Sequence, residues 1–401
     1  MTRAMFIFDA IRTPRGAARP DGALAGVRPV ELVAGLMGAL VERNRLDTSQ
    51  VNDVVLGCNT QVGDQGANLA KIAAVYAGWD AASGGATVNR FCASGLDAIA
   101  TAAAKIGAGF ADLIVAGGVE SMSRVPMFSD NGAWFTDPEV AARTKFLHMG
   151  IAADLLASRH GITRTDTDRY AYSSQVRAAA AWDAGFYGDA VIPVHEDSGH
   201  VLLARDECMR TTSLERLAGF EPAFAMFTNS DTQALIDAAY PTLGTIGHVH
   251  TVASSPAMCD AASLVLIGSE HAGNSAGLTP RARIVASVEL GSDPVEMLGG
   301  VVPAILRAVD QAGLQIKDLD VIECNESFAA TPLFLQRSLG LDPARLNPNG
   351  GAIAMGHPLG ATGGILVGTA LLELERTGGR YGAVTIPAGA GIASALIIER
   401  V

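Results

Sequence analysis

Leu46-Asp47-Thr48-Ser49-Gln50-Val51-Asn52-Asp53-Val54-Val55 has a near copy at Leu314-Gln315-Ile316-Lys317-Asp318-Leu319-Asp320-Val321-Ile322. In each, a polar turn runs into a short apolar strand. After each come a turn, a helix, a glycine-rich turn, a helix of small residues and an apolar strand closed by glycines. Self-similarity at so long a spacing means a duplicated domain, each copy one layered unit.

Outward from the first copy, residues 4–9 read as a strand that Arg12-Thr13-Pro14 breaks, and Pro29 to Arg43 as a helix with Leu32, Val33, Leu36, Met37 and Leu40 at helical spacing. Asp53–Gly57 is a strand, Asn68–Ala77 a helix, Thr87-Val88 a strand, and Gly95–Ile106 a helix. Asp112 to Gly118 is a continuous apolar strand. Alternating helices and fully apolar strands predict an α/β fold with a mostly parallel sheet covered on both faces. From Glu120 to Val249 the strand rhythm fades, with helices expected over 154–160 and 166–184. Long inserts of this kind in α/β proteins carry function. The rhythm returns with strands at Ala262–Gly268, Asp320–Glu323, Gly382–Thr385 and Ile392–Glu399, and helices at Pro303–Ala312 and Gly363–Arg376. The expected domains are an N-terminal half over 1–120, continued over about 250–275, an inserted loop domain over 121–249 that binds substrate, and a C-terminal half over 276–401.

Hydrophobic residues make up 49% of the 401 and charged ones 17%, enough for large cores. A net charge of −12 argues against nucleic acid and anionic membrane surfaces as partners, although a local basic patch could still take an anion. Cys58, Cys92, Cys208, Cys259 and Cys324 are scattered and odd in number, which fits a reducing compartment and neither a disulfide framework nor a zinc site. No stretch reads as a signal peptide or membrane span, so a cytoplasmic protein is expected.

Two back-to-back α/β halves put their strand-to-helix turns at one cleft, where α/β folds bind ligands. In the first half that turn is Asn89-Arg90-Phe91-Cys92-Ala93-Ser94-Gly95-Leu96. A thiolate at a helix N-terminus is favoured by free N–H groups and the macrodipole, so Cys92 is a candidate nucleophile with a lowered pKa. A buried structural cysteine is an equal reading of the local sequence. The matching turn of the second half, Asn349-Gly350-Gly351-Ala352-Ile353-Ala354-Met355-Gly356-His357-Pro358-Leu359-Gly360, carries His357 among four glycines, opposite Cys92 and suited to take its proton. Asn325, at the end of a buried strand, could hold a water or orient His357, or serve as an Asx turn or helix cap. Gly389 and Gly391 offer backbone N–H groups for an oxyanion hole.

Residues 89–96 (NRFCASGL), 117–122 (GGVESM), 148–150 (HMG), 325–329 (NESFA) and 349–360 (NGGAIAMGHPLG) together resemble the thiolase family, from Arg12-Thr13-Pro14 to the end of the chain. The resemblance implies a duplicated five-layered αβαβα core with an inserted loop domain, and a homodimer or homotetramer. It also implies ping-pong acyl transfer between coenzyme A thioesters in fatty-acid or lipid metabolism, β-oxidation included. Acyl-CoA and CoA would be substrates, with no cofactor and no metal. By the same resemblance Cys92 takes the acyl group and His357 activates it. Asn325 holds the water that completes one oxyanion hole, the N–H groups of Cys92 and Gly389 form the second, and His148 and Met149 line the acyl pocket.

Three stretches depart from the family pattern. Pro387 occupies the position of a second cysteine that protonates the leaving enolate, and the glycine loop after it is about two residues short. Cys324 is the nearest thiol in sequence, but strand alternation points it away from Asn325's side. Pro256 replaces part of a run whose serine holds the pantetheine, leaving Ser254 or Ser255 to compensate. An extra stretch, about 225–250, ends with His248 and His250, expected as solvated loop residues. Arg210 and Arg216 fall where the family meets the CoA nucleotide, or else on a solvated helix face. Two alternatives therefore stand beside a working thiolase-like acyltransferase. One is an impaired homologue that binds acyl-CoA or a partner protein, and the other is a ketoacyl-synthase-like condensing enzyme.

Overall fold

The computed structural model describes residues 3–196 and 198–401. Its main strands are β1 (Met5–Arg12), β2 (Asp53–Gly57), β3 (Ala86–Val88), β4 (Leu113–Ser121), β5 (Cys259–Gly268), β6 (Ala282–Gly291), β7 (Val321–Cys324), β8 (Tyr381–Pro387) and β9 (Ile392–Arg400). The longer helices are α1 (Pro29–Asn44), α2 (Leu69–Tyr76), α3 (Ser94–Gly107), α4 (Met149–Arg159), α5 (Arg164–Asp183), α6 (Ser230–Ala239), α7 (Val301–Gln311), α8 (Ala330–Leu339) and α9 (Thr362–Thr377).

All nine strands lie in one hydrogen-bonded array, β7-β8-β9-β6-β1-β5-β4-β2-β3, with a two-residue strand at Gly16–Ala17 paired to β5. The array is one motif written twice. The first copy runs β1-β5-β4-β2-β3 and the second runs β6-β9-β8-β7. Where the first copy has β3, the second has a bridge from Ile322 to Leu346. The copies meet through three antiparallel pairs, Met5 with Ile284, Phe6 with Arg283 and Ile7 with Ala282. The quoted repeat also matches in detail, since Thr48–Gln50 and Ile316–Asp318 are each one turn of 3-10 helix before β2 and β7.

The mostly parallel sheet expected from the apolar strands is not what forms. In each copy two antiparallel pairings precede the parallel ones: β1 with β5 and β5 with β4, then β6 with β9 and β9 with β8. Only β4-β2-β3 and β8-β7 run parallel. A strand buried on both faces is apolar whichever way its neighbours run, so the apolar run reports burial and not direction.

Side-chain alternation along these strands sorts the core into layers. Val54, Leu56, Leu264 and Leu266 pack under α1 with Leu32, Leu36 and Leu40. Their neighbours Val55, Val265 and Ile267 face the opposite way, onto α3 and α9, with Leu96, Ile99, Val367 and Leu371. Val384, Ile386, Leu396 and Ile398 close that central layer from the other side. Ile322, Ala383, Ala395 and Ile397 turn outward onto Val301, Ile305 and Val309 of α7. Helix, sheet, helix, sheet, helix is the five-layered α/β arrangement.

The central layer is tight because glycine makes it so. A Cβ on Gly363 would stand 2.0 Å from Leu96 N, and one on Gly95 would stand 2.4 Å from Gly360 O. The start of α3 and the turn leading into α9 therefore touch backbone to backbone. Three of these elements escape the sequence reading: β6, where half-exposed Val285 and Leu290 blur the apolar alternation, α6 in the extra stretch, and α8, which carries Pro332 in its first turn.

Candidate active site

After β3 the chain turns through residues 89–93 into α3. Phe91 takes a left-handed backbone, φ 49°. Ser94 closes the turn, its Oγ donating to Phe91 O at 2.6 Å and accepting from Arg90 N–H at 2.8 Å. Cys92 sits in this turn, buried, two residues before the first helical residue. The lowered thiol pKa expected there does not hold. Burial pushes the Cys92 thiol up to about 12, and the nearby Glu120 carboxyl pushes the same way against a backbone hydrogen bond. The helix end acts only over its own first turn, whereas taking a thiolate out of water costs more.

His357 and Asn325 come together from the second copy. His357 is buried, its backbone N–H donating to Ala257 O at 2.9 Å. Its Nδ1 lies 2.7 Å from Thr362 Oγ1, which itself donates to Pro358 O at 3.2 Å. With that hydroxyl proton engaged, Nδ1 carries the ring proton and donates, and Nε2 is the free base. Asn325 Nδ2 is 3.3 Å from Nε2 and 2.8 Å from Ser327 Oγ. Asn325 Oδ1 is buried with no partner among the described residues. α8 begins at Ala330 with Ala329 as its cap, so the helix-cap reading of Asn325 is excluded. Burial, with the Arg15 guanidinium second, lowers the His357 pKa to about 3. Thiol and imidazole are thus both neutral at pH 7.

Glu120, buried at the end of β4, ties the two copies together. Its carboxylate accepts from Asn59 N–H at 2.9 Å, Thr60 N–H at 3.1 Å, Gln65 Nε2 at 2.8 Å and, across the copies, Gly360 N–H at 2.9 Å. Gly360 lies three residues beyond His357 in the turn that meets α3. Arg15 Nη1 holds the other flank, donating to Gly356 O at 2.9 Å.

Gly389 opens a short 3-10 turn after β8. A Cβ there would stand 3.0 Å from the Trp134 ring and 3.2 Å from the Phe91 ring, so this backbone adjoins the Cys92 turn. Pro387 ends β8 opposite Ala393. The Cys324 side chain belongs to the outer layer with Val301 and Ile305 of α7, its Sγ donating to the Asn325 backbone carbonyl at 3.9 Å. His148 caps α4, its Nδ1 accepting from Gly150 N–H at 3.2 Å, and is half-buried with Met149. Its ring stacks on Phe227.

A cleft of about 290 Å³ is lined by Arg210, Arg216, Thr211, Thr212, Ser255 and Ala257, among others. Ala257 is the residue whose carbonyl holds His357, so the inner end of the cleft abuts the site. Ser255, not Ser254, lines it, and its hydroxyl donates to Thr251 O at 2.8 Å. His248 and His250 are not solvated loop residues. Asp154 accepts from His250 Nδ1 at 2.7 Å and from the N–H groups of Val249 and His250, and its other oxygen lies 2.9 Å from His248 Nδ1. Buried His250 accepts from Ala330 N–H through Nε2. Together these bonds fasten the end of the extra stretch to α4 and α8.

The family descriptions "Thiolase, N-terminal domain" and "Thiolase, C-terminal domain" match residues 5–240 and 278–400. The chain belongs to the thiolase family. Steroid 3-ketoacyl-CoA thiolase FadA6 of Mycobacterium tuberculosis is 39% identical over 411 residues, spanning 100% of this chain and 95% of that one. A beta-ketoadipyl-CoA thiolase of Acinetobacter baylyi is 41% identical over 419 residues, 99% of each chain. Human mitochondrial 3-ketoacyl-CoA thiolase in complex with CoA superposes with a TM-score of 0.86 at 32% identity, covering 100% of this chain and 98% of that one.

In this thiolase the turn that carries Cys92, from the first copy, and the turn that carries His357, from the second, meet where Gly95 packs on the Gly360 backbone. Sequence reasoning passed over Glu120 as a working residue, although it lies inside a quoted motif, and it passed over Thr362 and Arg15. A carboxylate inside an otherwise apolar strand was the available signal for Glu120, since such a charge needs partners. Among the described residues no helix is long and apolar enough to cross a membrane.

Proposed function

We propose that this thiolase moves acyl groups between coenzyme A thioesters through an acyl-Cys92 intermediate, with His357 as the sole proton carrier. Its standing as an acyltransferase follows from full-length relatedness to named thiolases, and neither the impaired-homologue nor the condensing-enzyme alternative gains support from them. The observation that carries the mechanism is the His357 network. Thr362 fixes the proton on Nδ1, leaving Nε2, beside Asn325, free to accept one.

Both groups being neutral at rest, the Cys92 proton passes to Nε2 as sulfur attacks the 3-keto carbon. The carbon–carbon bond then breaks, and the acetyl-CoA enolate takes the proton back from the imidazolium, doing what a cysteine at 387 would do. In the second half, the CoA thiol gives its proton to His357, attacks the acyl carbon, and Cys92 recovers the proton as it leaves. Asn325, with its unpartnered Oδ1 and a water, completes one oxyanion hole, and the Cys92 and Gly389 N–H groups form the other. Arg210 and Arg216 give the 290 Å³ cleft a cationic mouth suited to the CoA phosphates, with Ser255 along the pantetheine arm and His148 and Met149 at the acyl end. No cofactor is needed. A homodimer or homotetramer in the cytoplasm completes the proposal.

The test is intact-protein mass after incubation with acetoacetyl-CoA, with Cys92→Ser and His357→Asn alongside, followed by free CoA. An acetyl adduct in the native enzyme alone, discharged by CoA, is expected. An adduct that forms without His357, or none in the native enzyme, overturns the mechanism.

A further inference from the structure

Two runs of touching aromatic rings border the site. The first starts at Phe91, beside Cys92. Phe91 and Trp134 have centroids 5.1 Å apart, and Trp134 meets Phe146 edge-on at 5.0 Å. The second starts at Phe328, three residues beyond Asn325. Phe328 meets Phe224 edge-on at 5.5 Å, Phe224 lies 5.8 Å from His148, and Phe227 stacks on His148 at 4.1 Å. Phe146 and His148, one from each run, are two residues apart in the chain.

These rings fringe the core, with Phe91, Phe224 and Phe328 packed against its edge. Phe91, Trp134, Phe146, Phe224 and Phe328 are half-buried and Phe227 is 44% exposed. Aromatic residues are only 5% of the chain, so their gathering at one place calls for a reason beyond composition. Among the described residues no cation stands over any of them. Trp134 Nε1 is buried without a hydrogen-bond partner, a donor waiting for an oxygen.

We propose that the two runs are the walls of the acyl subsite and that the acyl group is bulky, apolar and ring-bearing, with Trp134 and Phe227 setting that preference. The inference rests on acyl transfer at Cys92. Flat ring faces gain by stacking and burial, which a two-carbon acyl group cannot exploit. A dicarboxylic acyl group would lose the hydration of its far carboxylate against ring faces that, among the described residues, no arginine or lysine covers.

The experiment compares kcat/KM for acetoacetyl-CoA, 3-oxodecanoyl-CoA, 3-oxoadipyl-CoA and 3-oxo-3-phenylpropanoyl-CoA in the native enzyme, Trp134→Ala and Phe227→Ala. The phenyl substrate should exceed each of the others by about tenfold or more, and either variant should shrink its advantage over acetoacetyl-CoA by about fivefold. Preference for any other substrate, or ratios unchanged in both variants, overturns the proposal. A second arm needs no turnover: calorimetric binding of cyclohexanecarbonyl-CoA and acetyl-CoA to full-length Cys92→Ala. The ring ligand should bind about tenfold tighter, and equal binding overturns the subsite. A ring preference in binding with no acylation by any substrate would sink the acyl-transfer reading and leave the subsite standing.

Discussion

Asn325 Nδ2 stands 3.3 Å from His357 Nε2, on the side of the ring opposite the Thr362 contact. The histidine is thereby held in one tautomer between a hydroxyl and an amide. Removing the hydroxyl frees the ring to turn and to move its proton. Thr362→Val, which keeps the shape, should lower kcat by about ten- to a hundredfold, a part of what a positioned general base contributes. The imidazole nitrogen resonances should report mixed tautomers, and a native spectrum with native kcat would remove Thr362 from the mechanism.

Cys92 is protonated at rest because burial holds its pKa near 12. Alkylation of the free enzyme by iodoacetamide, followed by mass spectrometry at Cys92, should be slow at pH 7. It should keep rising about tenfold per pH unit through pH 10, since only the thiolate reacts. A plateau between pH 7 and 8 would show a preformed thiolate and reverse the proton order argued above.

His357 is neutral when folded, with a pKa near 3 against about 6.5 when unfolded. Below pH 6.5 the unfolded chain binds a proton that the folded chain does not, so stability falls with pH, by up to about 1.4 kcal/mol per unit. Between pH 7 and 5 the native protein should lose about 2 kcal/mol more than His357→Gln in urea melts. Parallel losses would mean that His357 titrates normally.

Two glycines should respond oppositely to the same change. Gly35, inside α1, has nothing within 4 Å of an added Cβ, so Gly35→Ala should stabilise by up to about 1 kcal/mol. Gly363→Ala drives a methyl to 2.0 Å from Leu96 N, and should cost about 3 kcal/mol or more, or prevent folding. Thermal melts of the two variants test whether the central layer is as close as described.

The duplication was legible because each copy repeats a polar turn and an apolar strand, and every layer follows from alternation along strands such as Val54-Val55-Leu56. Strand direction was not legible, since apolar runs like β5 report only that both faces are covered. Of the candidate site, Cys92, His357 and Gly389 stood out by residue type at turns that contain glycine, and Asn325 as a polar residue at the end of a buried strand. Their supports did not. Thr362, Arg15 and Glu120 act through contacts 5 to 341 residues apart, for which the sequence carries no local period. His248 and His250 were misread for the same reason, because Asp154 lies on another helix.

The sequence by itself determined the doubled α/β plan and which side chains could do chemistry, because periodicity and residue type are local properties. Only the tertiary structure decided the protonation states. Whether a thiol at a helix start is anionic depends on how much water it keeps, and packing from both halves leaves Cys92 and His357 almost none.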